Sequence, residues 1–275
     1  MESQGRRVDI ESDFGACSLH HKRIRRNWLK GILYAMGARR PCPICGGFAL
    51  PIKASWMHSY LRCWRCNLIY VAELPSQNNL HAAYQQVYQD SYQARHKEHW
   101  ESWMEHKQRT LDALGIPSYQ EQLGEPRRAL DLGCGEGRLL HVLAQRGWHA
   151  EGLEINAKLA HEAQGLGYTV HLGPFEQASF SEQFALITMN HLIEHLRSPL
   201  EGLEKVRTWL VPQGRLVLET PILPDYTNTD HLYCFSAAAI DRALRKCGFV
   251  PLMWFQYIDA HYQHHNLACC AKRTA

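Results

Sequence analysis

The chain has 275 residues, room for about two domains at roughly 100 to 200 residues each. With 45% hydrophobic and 21% charged residues, it has the composition of an ordinary globular protein, which excludes a disordered tail or a fibrous chain. Residues 1–40 carry nine Lys/Arg against four Asp/Glu, a net of +5 that leaves −2 for the rest of the +3 total, so no broad nucleic-acid-binding face is expected on the body.

No apolar run approaches the roughly 20 residues a spanning helix needs, and the first 30 residues are polar and basic, unlike a secretory signal; a soluble cytoplasmic protein is expected. Residues 1–17 lack periodicity. From Leu19 to Met36, Ile24, Trp28, Ile32 and Met36 recur every four residues among Lys22, Arg23, Arg25, Arg26 and Lys30, with no acid between. The pattern predicts a basic amphipathic helix, which either packs on its own domain or meets an anionic carrier or membrane surface.

Four of the ten cysteines form two Cys-x-x-Cys knuckles, Cys42/Cys45 and Cys63/Cys66, 17 residues apart. Each knuckle can offer two thiolates to one ion, and the spacing is that of a zinc ribbon with short strands over Ala49 to Ile52 and His58 to Arg62. With four sulfur ligands no position stays open for water, so the role is structural; a redox-active dithiol is the alternative. Residues 80 to 115 read as two helices ending at Gly115 and Pro117. His96, His99 and His106 lie there among Glu98, Glu101 and Glu105 without the i, i+4 histidine spacing that chelates on a helix, so a solvated face is expected.

From Arg127 strands alternate with helices. Strands are predicted at Arg128 to Leu132, Ala150 to Ile155, Thr169 to Leu172, Phe184 to Asn190 and Arg215 to Thr220. Helices are predicted at Arg138 to Arg146, Ala157 to Gly165, Pro199 to Leu210 and Ala237 to Cys247, and a final hairpin at Phe249 to Tyr257 and Asn266 to Lys272. Such alternation predicts an α/β fold, a parallel doubly wound sheet with helices on both faces.

The sharpest motif is Asp131-Leu132-Gly133-Cys134-Gly135-Glu136-Gly137, leaving a strand and entering a helix. Glycines allow the tight turn and close ligand approach, and the helix start offers N–H donors to an anionic group. A dinucleotide site would need a small residue where Arg138 stands. Glu154, 21 residues past Gly133 at the end of the next strand, can accept both hydroxyls of a ribose.

On these motifs the chain resembles the class I S-adenosylmethionine (SAM)-dependent methyltransferases over about residues 127 to 273, and is most similar to the subgroup of ubiquinone-pathway, sugar and natural-product enzymes. Asn190-His191-Leu192-Ile193-Glu194-His195-Leu196, Val211-Pro212-Gln213-Gly214 and Asp230-His231-Leu232-Tyr233-Cys234-Phe235-Ser236 extend the match. Some members carry an N-terminal zinc ribbon, and the join from Cys63 to Tyr92 looks like theirs. The resemblance implies a Rossmann-like seven-stranded doubly wound sheet with a terminal antiparallel hairpin, preceded by a small zinc ribbon and a helical segment. It implies SAM held by Asp131, Gly133, Cys134, Gly135, Gly137, Glu154, Ile155, Phe175 and Asn190, and zinc held by Cys42, Cys45, Cys63 and Cys66. The chain departs from the family at Gly173-Pro174-Phe175, where an acid is usual and where the Phe175 backbone and ring are expected to hold the adenine, at Phe184-Ala185 in place of Phe-Asp, and at Asn67 in place of glycine.

Methyl transfer from a sulfonium is an in-line displacement in which orientation alone can supply about 7 to 11 kcal/mol. A hydroxyl or acidic-carbon acceptor also needs a base. His191, Glu194 and His195 follow the fourth strand of the alternating domain; on a short helix His191 and His195 would share one face. His195 is the first base candidate, or a group that positions the acceptor, and His231 the second. The histidines His261, His264 and His265 are expected in a surface turn, and Cys134, Cys269 and Cys270 as packing. The parts expected are a basic segment over 1–40, a zinc ribbon over 41–75, a helical linker or lid over 76–120 and a SAM-dependent methyltransferase domain over 121–275. The expected partner is a small-molecule methyl acceptor, O-methylated first and C-methylated second, with nucleic acid disfavoured and the oligomeric state unassigned. The competing readings are an RNA methyltransferase using ribbon and basic N-terminus, disfavoured because Asn190-His191-Leu192-Ile193 lacks the Asn/Asp-Pro-Pro-aromatic run of exocyclic-amine methylation, and a non-catalytic SAM- and zinc-binding module.

Overall fold

The computed structural model describes residues 40–54, 59–87, 100–118, 127–181, 183–222, 224, 230–258 and 265–274. The predicted helix over 19–36, together with His58, His96, His99, His261 and His264, lies outside the described residues.

The ribbon contributes strands β1 (Ala49–Ala54), β2 (Ser59–Cys63) and β3 (Ile69–Val71), followed by helices α1 (Gln77–Val87) and α2 (Trp100–Ala113). The larger domain runs β4 (Arg128–Leu132), α3 (Arg138–Gln145), β5 (His149–Glu154), α4 (Ala157–Gly165), β6 (Thr169–Leu172), β7 (Phe184–Asn190), α5 (Pro199–Trp209), β8 (Leu210–Pro221), β9 (Tyr233–Cys234), α6 (Ala237–Lys246), β10 (Phe249–Ile258) and β11 (His265–Arg273). Every predicted strand and helix of this domain is present, with ends moved by a few residues. The exception in length is β8, which begins at Leu210 where Arg215 was expected.

Seven strands form one sheet in the order β10-β11-β8-β7-β4-β5-β6. Strands β4, β5, β6, β7 and β8 pair in parallel, and β11 joins β8 and β10 antiparallel. The chain leaves β4 toward β5 and β6, then returns to the other side at β7. That reversal opens a crevice beyond the carboxyl ends of β4 and β7, the ligand position in open parallel sheets.

Interior strands read as unbroken apolar runs because both sheet faces are covered. One face packs Leu139, Leu140, Val142 and Leu143 of α3 with Leu111 and Leu114 at the end of α2. The other packs Leu203, Val206 and Trp209 of α5 with Ile240, Ala243 and Leu244 of α6. Buried ribbon residues, among them Ile44, Leu68 and Tyr70, belong to this second core without a break.

The continuity has a backbone cause that no strand signal in the sequence marked. Strand β9 leaves the larger domain and pairs antiparallel with β3, Ile69 against Cys234 and Tyr70 against Tyr233, completing a four-stranded ribbon sheet. Ser236 Oγ donates to the Cys66 carbonyl at 2.6 Å, and Arg40 donates to the Val71 carbonyl and the Tyr233 hydroxyl. Asn67 takes φ 56°, the left-handed region that asparagine tolerates better than other side chains, which explains how it replaces glycine after the second knuckle.

Gly152 in β5 lies under the glycine loop. A Cβ there would come within 2.4 Å of Cys134 Sγ and 3.1 Å of Leu140 Cδ1. Gly152→Ala is therefore expected to destabilise the fold by about 1 to 3 kcal/mol in urea unfolding, with partial recovery when Cys134→Ala is added. An additive pair would show that Cys134 is not the obstacle.

Candidate active site

The glycine loop turns sharply because Gly133, Gly135 and Gly137 take φ of 73°, 55° and 89°. Gly133 and Cys134 donate backbone N–H to the Leu153 carbonyl at 2.8 and 3.2 Å, tying the loop to β5. A side chain at Gly135 would meet nothing within 4 Å, nor would one at Gly173 after β6, so both face open space. Gly173 lines a cleft bordered also by Gly133, Ile155, Phe175, Leu192 and His195.

Glu154 ends β5 at the rim of the loop. Its Oε2 accepts from the Gly135 N–H at 2.9 Å and its Oε1 from the Asn156 N–H at 2.8 Å, and burial raises its pKa. The Ile155 backbone N–H also bonds it, and since a carboxylate accepts about four hydrogen bonds, capacity remains for a hydroxyl. Glycine cradle and acceptor carboxylate together fit SAM. Asp131 sits beneath, its Oδ1 accepting from Thr188 Oγ1 at 2.6 Å, with its pKa pushed up to about 7 by burial. Cys134 is buried against Gly152, and burial pushes its thiol up, as packing requires. The Phe175 ring borders the cleft edge-on to Trp209, while its carbonyl accepts from Lys205 Nζ at 3.1 Å.

Helix α1 lies over the cleft, adding Gln77, His81 and Tyr84 to its wall. Gln77 and His81 bond Glu176 at 2.8 and 3.2 Å, and the Asn156 amide donates to the Tyr84 and Gln85 carbonyls. The Tyr84 ring meets His195 edge-on at 5.4 Å.

No helix carries His191 and His195 together. Only a single 3-10 turn, Ile193–His195, forms, and His191 precedes it at φ 51°, pinned by its N–H to the Glu219 carbonyl at 2.9 Å. The shared helical face is thus replaced by a carboxylate bridge. Fully buried Glu194 has Oε1 at 3.4 Å from His191 Nδ1 and 4.0 Å from His195 Nε2, and its Oε2 accepts from Thr220 Oγ1. His191 Nε2 lies 3.3 Å from Glu219 Oε1, so both its nitrogens face carboxylates. Burial alone would lower its pKa, but Glu194 and Glu219 raise it to about 9. Burial would raise Glu194, yet His191 and His195 hold it at about 2.

His195 differs. Its Nδ1 is 2.9 Å from the Asp230 carbonyl, which can only accept, so Nδ1 carries the proton and Nε2 of the neutral ring carries the lone pair. His231 stacks edge-on against it at 4.9 Å. Glu194, His195 and His231 each offer a donor atom within 4.8 Å of one another, a set that could hold a divalent ion.

Sequence reasoning missed a buried cation. Lys107 of α2 donates to Asn190 Oδ1 at 2.8 Å and to Glu219 Oε1, which also accepts from the Tyr257 hydroxyl at 2.6 Å. Burial would raise Glu219, but Lys107 and His191 hold it well below the usual carboxylate range. Lys107, Glu219, His191 and Glu194 therefore form a chain of alternating charge across the ends of β7 and β8. A signal was present: Lys107 lies four residues from both Trp103 and Leu111, on the apolar stripe of its helix.

The imidazolium contribution to stability is fully present below pH 6.5 and is lost as pH rises through about 9. The loss is expected to be about 1 to 2 kcal/mol, discounted because a third of the ring is accessible. His191→Gln should flatten the urea-unfolding profile across this window; an unchanged slope would refute the assignment.

In the ribbon, Cys42 Sγ and Cys66 Sγ are 3.6 Å apart and Cys45 Sγ and Cys63 Sγ 3.4 Å, and the four lie within 4.8 Å of one another. Zinc–sulfur bonds of about 2.3 Å put tetrahedral sulfurs about 3.8 Å apart, so the set fits that ion. Gly47 and Arg65 donate backbone N–H to Cys45 and Cys63 Sγ at 3.4 Å.

A family model described as a methyltransferase domain matches residues 100–254, more than half of the chain. A tRNA U34 carboxymethyltransferase from Klebsiella pneumoniae is 30% identical over 147 residues, 46% of this chain and 44% of that protein; the chain spans less than half the length of such curated relatives. The fold is shared with a Burkholderia thailandensis 1,6-didemethyltoxoflavin-N1-methyltransferase crystallised with S-adenosylhomocysteine, at TM-score 0.59 and 19% identity over 82% of this chain and 99% of that one. A magnesium protoporphyrin IX methyltransferase from Synechocystis PCC 6803 aligns at TM-score 0.54 and 17% identity over 72% and 100%.

Proposed function

The chain belongs to the class I SAM-dependent methyltransferase family, and on that premise we propose that it transfers a methyl group to a hydroxyl of a small-molecule acceptor, with His195 as the base. SAM, when bound, supplies an electrophilic methyl on a sulfonium. Gly133 and Gly135 leave room for it to lie close against the loop, Gly137 lets the following helix pack on Ala163, and Glu154 accepts from its ribose. Phe175 and Ile155 border the same cleft as His195. Nε2 of His195 takes the hydroxyl proton, and Glu194 at 4.0 Å stabilises the imidazolium that results. His191 has both nitrogens against carboxylates and acts as a fixed positive charge. Helix α1 and Tyr84 keep water from the cleft. The observation that carries this reading is the Asp230 carbonyl on His195 Nδ1, which leaves Nε2 able to accept a proton.

Zinc held by Cys42, Cys45, Cys63 and Cys66 is the structural ion of the ribbon in this proposal. C-methylation of an activated carbon would use the same base. A tRNA acceptor is the second reading, supported by the relative named for tRNA.

The test is labelled-methyl transfer from SAM into small molecules and RNA from cell extract, alongside calorimetry of SAM. Glu154→Ala should abolish binding, whereas His195→Ala should keep binding and lower transfer by about 10²- to 10⁴-fold. Label in RNA alone would favour the second reading. Full transfer by His195→Ala would remove the base assignment, and no SAM binding by the intact chain would remove the reading as a whole.

A further inference from the structure

The ribbon sheet buries one face; on the other, Tyr60 and Val71 are buried while β1 around Leu50 and the end of β2 around Arg62 and Trp64 are exposed. Phe48 just before β1 and Leu50, Pro51 and Ile52 within it are exposed, the last two where the strand shifts register, and Arg62 and Trp64 are exposed around β2. Leu50 is paired with Arg62 across the two strands, and the Trp64 N–H donates to the Phe48 carbonyl at 3.1 Å, so the two aromatic residues are neighbours. Phe48 is 73% exposed and Trp64 82%. Isolated apolar residues on a surface are ordinary; four large ones gathered at the β1 edge of the four-stranded ribbon sheet mark an interaction surface.

Charge narrows the partner. Residues 41–75 contain Lys53, Arg62 and Arg65 against Glu73, so with the −2 of one zinc and four thiolates the ribbon is neutral as a whole and its positive charge is local. Arg40 turns inward to Val71 and Tyr233, while Arg62 and Arg65 are exposed beside Trp64. A second copy of the chain would set these arginines against their own kind. A nucleic acid strand could stack on Phe48 and Trp64 but has no use for aliphatic Leu50 and Ile52 beside them along β1. An anionic bilayer accepts all of these groups: Trp and Phe at the headgroup level, Leu and Ile toward the acyl chains, arginine on the phosphates.

We propose that the exposed face formed by Phe48, Leu50, Ile52, Trp64, Arg62 and Arg65 is a peripheral docking surface for an anionic lipid bilayer. The proposal is independent of the methyl acceptor. Because β3 pairs with β9, the docked ribbon holds the segment that leads to His231 and Asp230, so docking orients the cleft relative to the membrane surface.

Co-sedimentation of the zinc-loaded full chain with phosphatidylcholine vesicles, pure or with one third phosphatidylserine, tests it. Binding is expected only to the anionic vesicles. Phe48→Ser/Trp64→Ser should weaken it by about tenfold or more, and Arg62→Glu/Arg65→Glu severalfold with loss of the anionic preference. Both variants should keep the thermal midpoint and zinc content of the parent, and Leu50→Ser/Ile52→Ser gives an independent reading if the first pair folds poorly. Absence of vesicle binding, or binding untouched by the apolar variants, would overturn the proposal. So would salt-sensitive RNA binding without vesicle binding, or a dimer abolished by Phe48→Ser/Trp64→Ser.

Discussion

Lys107→Met is expected to lower the unfolding free energy by about 3 kcal/mol, because it strands a buried carboxylate. Lys107 and Glu219 are both almost fully buried, and Lys107 is the only Lys or Arg for which a contact to that carboxylate is seen among the described residues. Removing one member of a buried pair typically costs about 3 to 5 kcal/mol through the uncompensated charge. The low end applies because His191 and the Tyr257 hydroxyl remain on Glu219 Oε1. Glu219→Gln should also destabilise, and the double variant should lose much less than the sum of the two, a coupling read from urea unfolding of the four proteins. Strict additivity would mean that the pair is not coupled. Transfer should also fall in Lys107→Met, since Asn190 loses the donor that holds its side chain at the end of β7.

On the proposal that Cys42, Cys45, Cys63 and Cys66 hold zinc, removing that ion is expected to reduce turnover by about 10²-fold while SAM affinity changes far less. Structural zinc sites contribute apparent binding free energies of about 10 to 16 kcal/mol, so chelation or Cys66→Ser should unfold the ribbon core around Cys42, Ile44, Cys63 and Leu68. The loss travels through identified bonds. Strand β3 pairs with β9, the Val71 N–H donates to the Leu232 carbonyl at 3.0 Å, and the Leu232 N–H donates to the Glu194 carbonyl at 2.9 Å. Two residues before Leu232, Asp230 sets the His195 tautomer. The glycine loop and Glu154, in contrast, are tied to each other and to Leu153 through β4 and β5. Calorimetry of SAM and transfer rates before and after chelation would separate the two. A parallel fall of both, or no change in turnover, would contradict the route from ribbon to base.

Fold and cofactor loop were legible because their causes are local. The glycines at 133, 135 and 137 are needed by the turn they occupy, and Glu154 is timed by one strand, one helix and the next strand. The Cys42, Cys45, Cys63 and Cys66 spacing likewise encodes a tetrahedron within one hairpin. The helix imagined for His191 and His195 failed because the Glu219 carbonyl, on a strand distant in sequence, holds His191 in a left-handed conformation. Helical spacing cannot report such a bond.

The larger site belongs to the same class of long-range effects. Lys107, Glu219 and Tyr257 come from a helix and two strands separated by 112 and 38 residues. Each violates its local pattern in a visible way: a lysine on an apolar helical stripe, a glutamate at the end of the apolar run Leu216-Val217-Leu218. A violated pattern announces a buried polar group but does not name its partner. The sequence by itself determined the α/β order of elements, the glycine loop, the carboxylate of Glu154 that closes on it and the gathered thiolate set, since these follow from backbone conformation and near-neighbour spacing. Only the tertiary structure decided which histidine keeps a free nitrogen, which charges face one another and that the ribbon supports the active-site segment, because those depend on where the sheet brings distant strand ends together in a volume that water does not screen.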